Sequence, residues 1–259
     1  MSIERSSSGC LGIIGVGHLA TTMVMGLLKN GWRAEEIVLA PRGHSAELAA
    51  QHGIFRAPDN AAVVERADLV LLAVRSADAV SALAGLPWRR GQLVLSACAG
   101  VPISALGAVA APAQVSRIMP LTASELGASP TAIFPPTPAA QRLLDAIGTT
   151  ITLDNEGQFE VCTVSAAVHG WILMLVRETC DWIENADVPA PIARALVAQT
   201  CVATGRIINE KEAPMAELLA TLATPGGITE AGLKHLDAAH VPEAWRAACD
   251  VVFKRLTDE

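Results

Sequence analysis

The apolar residues of the first 155 positions fall into short runs that are typical of buried parallel strands. Leu69-Val-Leu-Leu-Ala-Val74 is a continuous apolar run, as expected for a central strand covered on both faces. Further strands are expected at Cys10–Ile14, Glu36–Ala40, Leu93–Ala97, Gln114–Met119, Ala132–Phe134 and Thr149–Leu153. Because helical segments such as Leu19–Leu28 alternate with these runs, the pattern predicts an α/β fold with a Rossmann-type doubly wound sheet.

After Asn155 the pattern becomes helical only, which predicts an all-α second domain. Helices are expected at about Gln158–Asn185, Ala190–Glu210, Met215–Leu222, Thr229–Ala238 and Pro242–Leu256. The two domains should therefore cover residues 1–155 and 156–259. Near Trp171–Val176 the first of these helices is apolar on most of its circumference, more than a surface helix of a small monomer needs, which indicates burial in a dimer.

Prolines concentrate in one stretch of the first domain, Ser129–Pro138. They are Pro130, Pro135, Pro136 and Pro138. Because each proline fixes its own φ angle and lacks an N–H group, the stretch is interpreted as a rigid loop inside the domain and not as a linker between domains.

The first strand runs directly into the turn Gly15-Val-Gly17-His-Leu-Ala20, which has the pattern Gly-x-Gly-x-x-Ala. In a strand-turn-helix context, Gly15 permits the tight turn and Gly17 lets the backbone approach a pyrophosphate at the helix N-terminus. Ala20 lets helix and strand pack closely. The turn therefore predicts a dinucleotide site.

The second strand ends without the acidic residue that would hydrogen-bond an NAD ribose. The chain continues Ala40-Pro41-Arg42-Gly43-His44-Ser45 instead. Arg42 can pair with a 2′-phosphate, and Ser45, at the following helix start, can donate a hydrogen bond to it, so NADPH is the expected cofactor. The alternative is that Arg42 is an ordinary solvated loop residue.

A second glycine turn lies near the other end of the chain, within Leu222–Leu233. Pro225 fixes one φ angle, Gly226 and Gly227 can expose backbone N–H groups, and Thr229 begins a predicted helix whose first N–H groups carry partial positive charge. Such a turn can hold a small carboxylate. The alternative interpretation is a helix C-cap followed by an N-cap, with no ligand.

The composition fits a cofactor-dependent enzyme and argues against other classes. The 259 residues are 51% hydrophobic, enough for a large core, and the net charge of −7 argues against a nucleic-acid surface. The six cysteines have neither C-x-x-C pairs nor metal-like spacing with histidine, so we expect no metal and interpret them as buried apolar residues in a reducing compartment. Met1–Ser8 lacks an apolar signal segment, and the longest apolar runs are too short to span a membrane, so we expect a soluble cytoplasmic protein with no membrane or nucleic-acid partner.

Taken together, these patterns resemble the pyrroline-5-carboxylate reductase family over essentially the whole chain. The segments that carry the resemblance are Ile13–Ala20, Leu71–Arg75, Ser96–Val101, Arg117–Pro120 with Thr122-Ala123 after it, and Ala223–Leu233. The resemblance implies a dinucleotide-binding Rossmann domain and a helical dimerisation and substrate domain that interlocks with a partner subunit, in a homodimer or a larger homo-oligomer of dimers. It also implies NADPH-dependent reduction of a cyclic imine carboxylate to an amino acid.

The resemblance also implies roles for individual residues. On the cofactor side these are Gly15, Gly17, His18, Leu19, Ala20, Arg42, Ser45, Ala73, Val74, Arg75, Ala97, Ala99, Gly100, Met119 and Pro120. On the substrate side, Thr224, Gly226, Gly227 and Ile228 would receive the carboxylate, and Thr229 would hydrogen-bond the ring nitrogen. Hydride transfer to C=N is aided when the nitrogen is protonated; a threonine hydroxyl suffices for the hydrogen bond but is a poor independent acid, so water is a plausible relay.

Two segments depart from the family pattern. A Ser-Gly-Ser-Gly-Pro-Ala stretch is replaced by Ala166-Ala-Val-His-Gly-Trp171, and Met-Pro-Asn-Thr-Pro by Met119-Pro-Leu-Thr-Ala123. His169 is a candidate proton donor to a different imine, because histidine as a residue type can change its charge near neutral pH, and Trp171 joins the candidate substrate residues. The alternative for His169 is a helix-start histidine bonded to backbone.

Other functions are weighed by what the sequence lacks. It contains no tyrosine, which removes the Tyr-x-x-x-Lys pair of short-chain dehydrogenases, and it has no Gly-x-Ser-x-Gly elbow, H-E-x-x-H helix or P-loop. Two alternatives stay open: a reductase of another imine in a specialised biosynthetic pathway, and a non-catalytic NADPH-binding family member. The substituted stretch before Trp171 favours the second, whereas the intact Thr-Pro-Gly-Gly-Ile-Thr turn opposes it.

Overall fold

A computed structural model describes residues 9–257 of the chain. The expectation that Met1–Ser8 holds no signal segment lies outside the described residues. The described part contains eight β-strands, numbered in chain order: β1 Leu11–Ile14, β2 Ile37–Leu39, β3 Phe55–Arg56, β4 Leu69–Leu72, β5 Leu93–Ser96, β6 Gln114–Met119, β7 Ser129–Phe134 and β8 Gly148–Thr152.

The strands form one sheet in the order β3-β2-β1-β4-β5-β6-β7-β8. The first six strands are parallel, with Leu11 opposite Ile37 on one side and Leu69 on the other. β7 is antiparallel to β6, and β8 is parallel to β7. The last two strands therefore run opposite to the rest, and the carboxyl ends of β1 to β6 share one edge of the sheet, where doubly wound folds bind their ligands.

Helices cover the sheet and continue beyond it. In residues 9–257 the α-helices are α1 His18–Lys29, α2 Ser45–His52, α3 Asn60–Arg66, α4 Ala79–Leu83, α5 Ile103–Ala110, α6 Pro138–Ile147, α7 Glu156–Glu184, α8 Ala190–Glu210, α9 Met215–Leu222, α10 Ile228–Ala238 and α11 Val241–Thr257. Short 3-10 turns lie at Ala34–Glu36, Ser76–Asp78 and Thr122–Leu126.

The central strands are buried on both faces, which explains their unbroken apolar character. In β4, Leu69 and Leu71 join a core cluster that includes residues of α1 and α6. The alternate residues Val70 and Leu72 join a second cluster that includes residues of α3, α4 and α5. Successive side chains of a strand point to opposite faces, so both faces need apolar residues. The predicted Rossmann-type sheet followed by helices is confirmed.

The proline-rich stretch contains β7, which begins three residues before the predicted strand Ala132–Phe134 and ends with it. Ser129–Phe134 forms β7, and only residues 135–137 connect it to α6. β6 pairs with β7 only from Ala132 to Phe134, so Pro130 lies beyond that register and the sheet needs no N–H donor from it there. The prediction of a loop over the whole of Ser129–Pro138 is wrong for this reason.

The chain divides into two compact units. Among the described residues, the first contains residues 9–166 and 255–257, and the second contains Ala167–Lys254. α7 runs through the division. In the second unit Cys180, Ala193 and Val197 form a small buried cluster, with Val176 and Ile183 packed against it.

Much of the apolar surface of α7 is exposed in the single chain, including Ile172, Leu173, Met174 and Leu175. Among the described residues this 29-residue helix is the one that is long and apolar enough to cross a membrane, judged by length and composition. The uninterrupted apolar runs of α7 are short, because Ser165, His169 and Gly170 separate them, so run length alone does not exclude a membrane span for the helix as a whole.

The cysteines were expected to be uniformly buried, but only two of the six are buried; Cys10 and Cys249 are half-buried and two others are exposed. All six are free; Cys98 and Cys180 are buried, whereas Cys162 on α7 and Cys201 on α8 are exposed. Both lie on helices with exposed apolar surface in the single chain, so their burial could not be read from residue type alone. Within residues 9–257 no group of three or more His, Cys, Asp or Glu residues could hold a metal ion.

Candidate active site

The glycine turn after β1 has the geometry that a phosphate-binding turn requires. Gly15 has φ +92°, and a Cβ added there would lie 2.6 Å from the carbonyl carbon and oxygen of Ala73. A side chain at this position would therefore collide with the end of β4. Gly17 is the N-cap residue of α1, has open space where a Cβ would be, and receives no side-chain cap. An anion can therefore come close to the free N–H groups in the first turn of α1.

The loop that carries Arg42 is held beside this glycine turn. The backbone N–H of His44 donates to the Val16 carbonyl at 2.8 Å, and Val16 and Gly43 form an isolated parallel bridge. Gly43 has φ +76°, and a Cβ on it would lie 2.1 Å from the Val16 oxygen. The two loops are therefore in backbone contact, and Arg42 is exposed beside the glycine turn.

Ser45 begins α2, as expected, but its side chain is not exposed to a ligand. Its side chain is fully buried, and its Oγ accepts a hydrogen bond of 3.1 Å from Nε of Arg56. Nη2 of Arg56 also donates to the Pro41 carbonyl at 2.7 Å. The buried hydroxyl does not fit direct donation to a 2′-phosphate. Sequence reasoning missed Arg56, which joins both ends of the loop around Arg42, because nothing in the sequence signals that the short edge strand β3 reaches this loop.

The remaining predicted cofactor residues also lie at the carboxyl edge of the sheet. Ala73, Val74 and Arg75 follow β4; Ala97, Ala99 and Gly100 follow β5; Met119 ends β6, and Pro120 follows it; His18, Leu19 and Ala20 begin α1. A cavity of about 960 Å³ at this edge is lined by residues that include Gly15, Arg42, Val74 and Arg75. A second, of about 690 Å³, is lined in part by Arg75, Ala99 and Gly100.

Some predicted cofactor residues are not available to a ligand in this structure. Ala20, Met119 and Pro120 are buried. Ala20 packs in the core beneath the glycine turn, which is the role assigned to it from the sequence. Cys98 lies between Ala97 and Ala99, and its Sγ donates to the Val74 carbonyl at 3.3 Å; burial raises the pKa of this thiol, so it is a structural group and not a nucleophile.

A buried charged cluster stands next to this edge. Arg117 of β6 is 2% exposed, and its Nη1 lies 3.1 Å from Glu156 Oε1 and 2.5 Å from Glu160 Oε2. Its guanidinium carbon also lies 4.6 Å from the centre of the Phe159 ring. Glu156 further accepts the backbone N–H of Ile103 at the start of α5. One buried cation therefore joins β6 to α7. The sequence signal was an arginine in a mostly buried strand, and the family resemblance included this residue without a role.

In the second unit, the turn before α10 is a β-turn of type II. The Gly227 N–H donates to the Thr224 carbonyl at 2.8 Å, with Pro225 and Gly226 at the two central positions and φ +74° at Gly226. A Cβ at Gly227 would lie 2.6 Å from the Thr224 Oγ1 atom. Gly227 is the N-cap residue of α10 and the helix begins at Ile228, one residue before the expected start. Thr229 is exposed in its first turn.

One N–H group of this turn already has an acceptor. Gly226 N–H donates to Oε2 of Glu230 at 2.9 Å, while Oε1 of Glu230 lies 2.9 Å from Nζ of Lys234. The prediction that the Gly226 N–H is open for a substrate carboxylate is therefore not met in this state. The Lys234 ammonium, and then the Gly226 N–H, hold the pKa of Glu230 below its ordinary value.

His169 and Trp171 lie in the interior of α7 and not at a helix start. The helix begins at Glu156, so the interpretation of His169 as a helix-start histidine is wrong. The ring of Trp171 meets that of Trp245 edge to face, with centroids 5.4 Å apart. Both His169 and Trp171 are half-buried in the second unit, so each keeps part of its surface available.

Two family models match separate parts of the chain. A family model for pyrroline-5-carboxylate reductase dimerisation matches residues 156–258, and one described as NADP oxidoreductase, coenzyme F420-dependent, matches residues 10–100. The pyrroline-5-carboxylate reductase of Pseudomonas aeruginosa is 31% identical over 255 residues, covering 92% of this chain and 93% of the relative. Pyrroline-5-carboxylate reductase 1 of Bacillus spizizenii is 30% identical over 260 residues, covering 93% of this chain and 86% of the relative.

Solved structures show the same fold. The pyrroline-5-carboxylate reductase of Streptococcus pyogenes superposes with a TM-score of 0.85 at 22% identity, covering 97% of this chain and 99% of that one. A Plasmodium falciparum pyrroline carboxylate reductase with NADP bound also gives 0.85, at 17% identity and 99% coverage of both chains. A reductive aminase from Aspergillus terreus gives 0.63 at 18% identity, covering 95% and 89%. Since the sequence relationship reaches 31% across nearly the whole length, the chain belongs to the pyrroline-5-carboxylate reductase family.

Proposed function

We propose that the protein reduces a cyclic imine carboxylate by hydride transfer to its C=N bond, with NADPH as the reductant and pyrroline-5-carboxylate as the first candidate substrate. The observation that carries the proposal is the type II turn Thr224–Gly227 at the start of α10, in a chain whose relatives are named for that imine. A decayed, non-catalytic scaffold has no need for a carboxylate-binding turn.

The cofactor assignment is supported by how the residues of the first unit fit a dinucleotide. Gly17 leaves open space at the start of α1, and the cavity of about 960 Å³ extends from Gly15 to Arg42. The α1 N-terminus would hold the pyrophosphate, and Arg42 would pair with the 2′-phosphate. When bound, reduced nicotinamide supplies the hydride; the protein's task is to hold the two reactants in position.

On the substrate side, the roles fall to the turn and the helix start of the second unit. The N–H groups at Gly226, Gly227 and Ile228, with the Thr224 hydroxyl, are assigned to the substrate carboxylate. Thr229 is assigned to the ring nitrogen, where its hydroxyl supplies a hydrogen bond and passes a proton from water. His169 is the second candidate proton donor, because its half-buried ring keeps part of its surface available and histidine is the side chain most often used for general acid–base catalysis.

The direct test is a panel of cyclic imines that differ in ring size and in the position of the double bond. Loss of NADPH absorbance with pyrroline-5-carboxylate, above a blank without enzyme, would support a proline-biosynthetic reductase. Turnover of only another imine would support a reassigned substrate pocket around His169 and Trp171. Tight NADPH binding with no turnover of any imine would contradict the proposal and favour a non-catalytic member.

Arg42→Ala should weaken NADPH binding about tenfold and leave NADH binding within about twofold, because the guanidinium pairs only with the 2′-phosphate. Dissociation constants for both cofactors are measured by fluorescence titration. Arg66→Ala is the matched control, since it removes an exposed arginine that stacks on the ring of Phe55. Equal losses for NADPH and NADH would contradict the assignment of Arg42.

Arg56→Ala should also weaken NADPH selectively, because Arg56 holds the loop that presents Arg42. If Arg56 acts through Arg42, the double variant binds NADPH no more weakly than Arg42→Ala alone. Fully additive losses in the same titrations would show instead that Arg56 acts independently of Arg42.

We also propose that residues 156–259 form the dimerisation and substrate domain and residues 1–155 the cofactor domain. Leu173 and Leu175 of α7 are more than half exposed in the single chain, and the dimerisation model covers this helix. A partner subunit would cover them. Leu175→Glu should then shift the protein from dimer to monomer in sedimentation velocity, because a buried unpaired charge opposes association. A wild-type protein that sediments as a monomer would contradict the proposal.

A cytoplasmic location follows from the same proposal, since an α7 covered by a partner presents no apolar surface to lipid. Recovery of the protein in the soluble fraction without detergent would support it. Recovery only with the membranes would instead favour insertion of α7.

A further inference from the structure

The carboxylate of Glu230 stands where a substrate carboxylate is assigned. It accepts the Gly226 N–H at 2.9 Å through one oxygen and contacts the Lys234 ammonium at 2.9 Å through the other. Lys234 lies one helical turn further along α10, so the pair is an i, i+4 ion pair of the favourable orientation. Both oxygens of the carboxylate therefore have partners within the chain.

The hydrogen bond from the Gly226 N–H to Glu230 differs from that of an ordinary capping box. In a capping box, a glutamate at the third helical position accepts the N–H of the N-cap residue. Here that N–H, on Gly227, is used by the Thr224 carbonyl to close the β-turn. Glu230 reaches one residue further back, to Gly226, whose φ of +74° sets the direction of its N–H. The contact thus falls on the glycine turn and not on the helix end alone.

Resting on the function proposed above, we propose that Glu230 is an internal competitor for the carboxylate position and thereby a specificity residue. A substrate carboxylate takes the Gly226 N–H by displacing Glu230, which stays paired with Lys234. A neutral imine offers no anion to replace the one it displaces, so the exchange favours substrates that carry a carboxylate. The ion pair and the N–H bond both keep Glu230 ionised near neutral pH, as its lowered pKa indicates.

The proposal can be tested without any imine, using acetate as the minimal carboxylate probe. Acetate is titrated into glycine-labelled protein while the Gly226 amide resonance is followed by NMR. We expect Glu230→Ala to bind acetate about threefold to tenfold more tightly than wild type, because the competing carboxylate is gone. Glu217→Ala, which removes an exposed glutamate from the first turn of α9, is the matched control for net charge.

A purely capping role makes a different prediction. Glu230→Ala would then lower the melting temperature and bind acetate no better than Glu217→Ala, and this result would overturn the proposal. Glu230→Gln keeps an acceptor for the Gly226 N–H without the charge, so its acetate affinity should lie between those of wild type and Glu230→Ala. Tighter acetate binding in a protein that reduces no imine would uphold the competition at Gly226 while overturning the proposed reductase activity, so the two failures are distinguishable.

In an active enzyme, the same variant should lower KM for the imine carboxylate and leave kcat nearly unchanged, since Glu230 acts on binding and not on the hydride step. A fall in kcat with unchanged KM would count against a competitor role.

Discussion

We expect Thr229→Ala to lower kcat/KM for the imine by about tenfold to a thousandfold and to leave the NADPH dissociation constant within about twofold of wild type. The hydroxyl lies in the first turn of α10, beside the glycine turn, and is exposed. Under the proposed mechanism, its loss removes the hydrogen bond to the imine nitrogen and leaves the cofactor contacts unchanged. Steady-state kinetics give kcat/KM, and fluorescence titration gives the cofactor affinity.

Thr229→Ser is the matched control, because it removes a methyl group and keeps the hydroxyl. Its rate should stay within about threefold of wild type. If Thr229→Ala is as active as Thr229→Ser, the threonine has no part in the reaction. His169→Ala in the same assay would then show whether the histidine of α7 supplies the proton.

Arg117→Ala should lower the free energy of unfolding by about 3–5 kcal/mol, because removing one partner of a buried ion pair leaves its carboxylates uncompensated. Arg117 is 2% exposed and contacts both Glu156 and Glu160, which are themselves 34% and 14% exposed. Urea unfolding of wild type and variant at one protein concentration gives the difference. A loss below about 1 kcal/mol would show that the cluster contributes little.

Arg246→Ala is the control for this measurement. Arg246 pairs with Glu243 on the surface of α11, where both side chains are more than half exposed. The same chemical change should therefore cost less than about 1 kcal/mol. Similar losses at both positions would mean that burial of Arg117 is not the cause.

Much of the fold could be predicted because local signals agree with the tertiary structure. α8 and α9 begin and end where the apolar periodicity places them, at Ala190–Glu210 and Met215–Leu222. Pro189 and Pro214 precede them at the N-cap positions, where the fixed φ angle and missing N–H of proline are tolerated. In the sheet, buried parallel strands leave unbroken apolar runs that periodicity detects readily.

The sequence-based predictions fail where the structure of a segment depends on a partner that is distant along the chain. The strand at Ala132–Phe134 was predicted, but whether residues 129–131 are loop or strand depends on β8, which pairs in register from Ser129 onward. Whether Ser45 faces a ligand depends on Arg56, eleven residues away on an edge strand. Local propensity carries no information about either partner.

In the candidate site, too, local features could be predicted from the sequence and contacts with distant residues could not. The glycine turns could be located from the sequence, since φ angles of +92° at Gly15 and +74° at Gly226 are conformations that glycine adopts readily. Which groups fill those turns could not be predicted. The Glu230 carboxylate accepts the Gly226 N–H, while the Gly227 N–H donates to the Thr224 carbonyl. The three-dimensional geometry of the turn decides this division.

The backbone bridge between Val16 and Gly43 limits how this enzyme could be re-engineered toward NADH. The positive φ of Gly43 and the 2.1 Å approach of a built Cβ to the Val16 oxygen mean that any side chain there would push the two loops apart. Replacing the whole loop that carries Arg42 with that of an NADH-dependent relative would therefore also disturb the glycine turn after β1. Directed libraries should vary positions 42 and 44 and retain glycine between them.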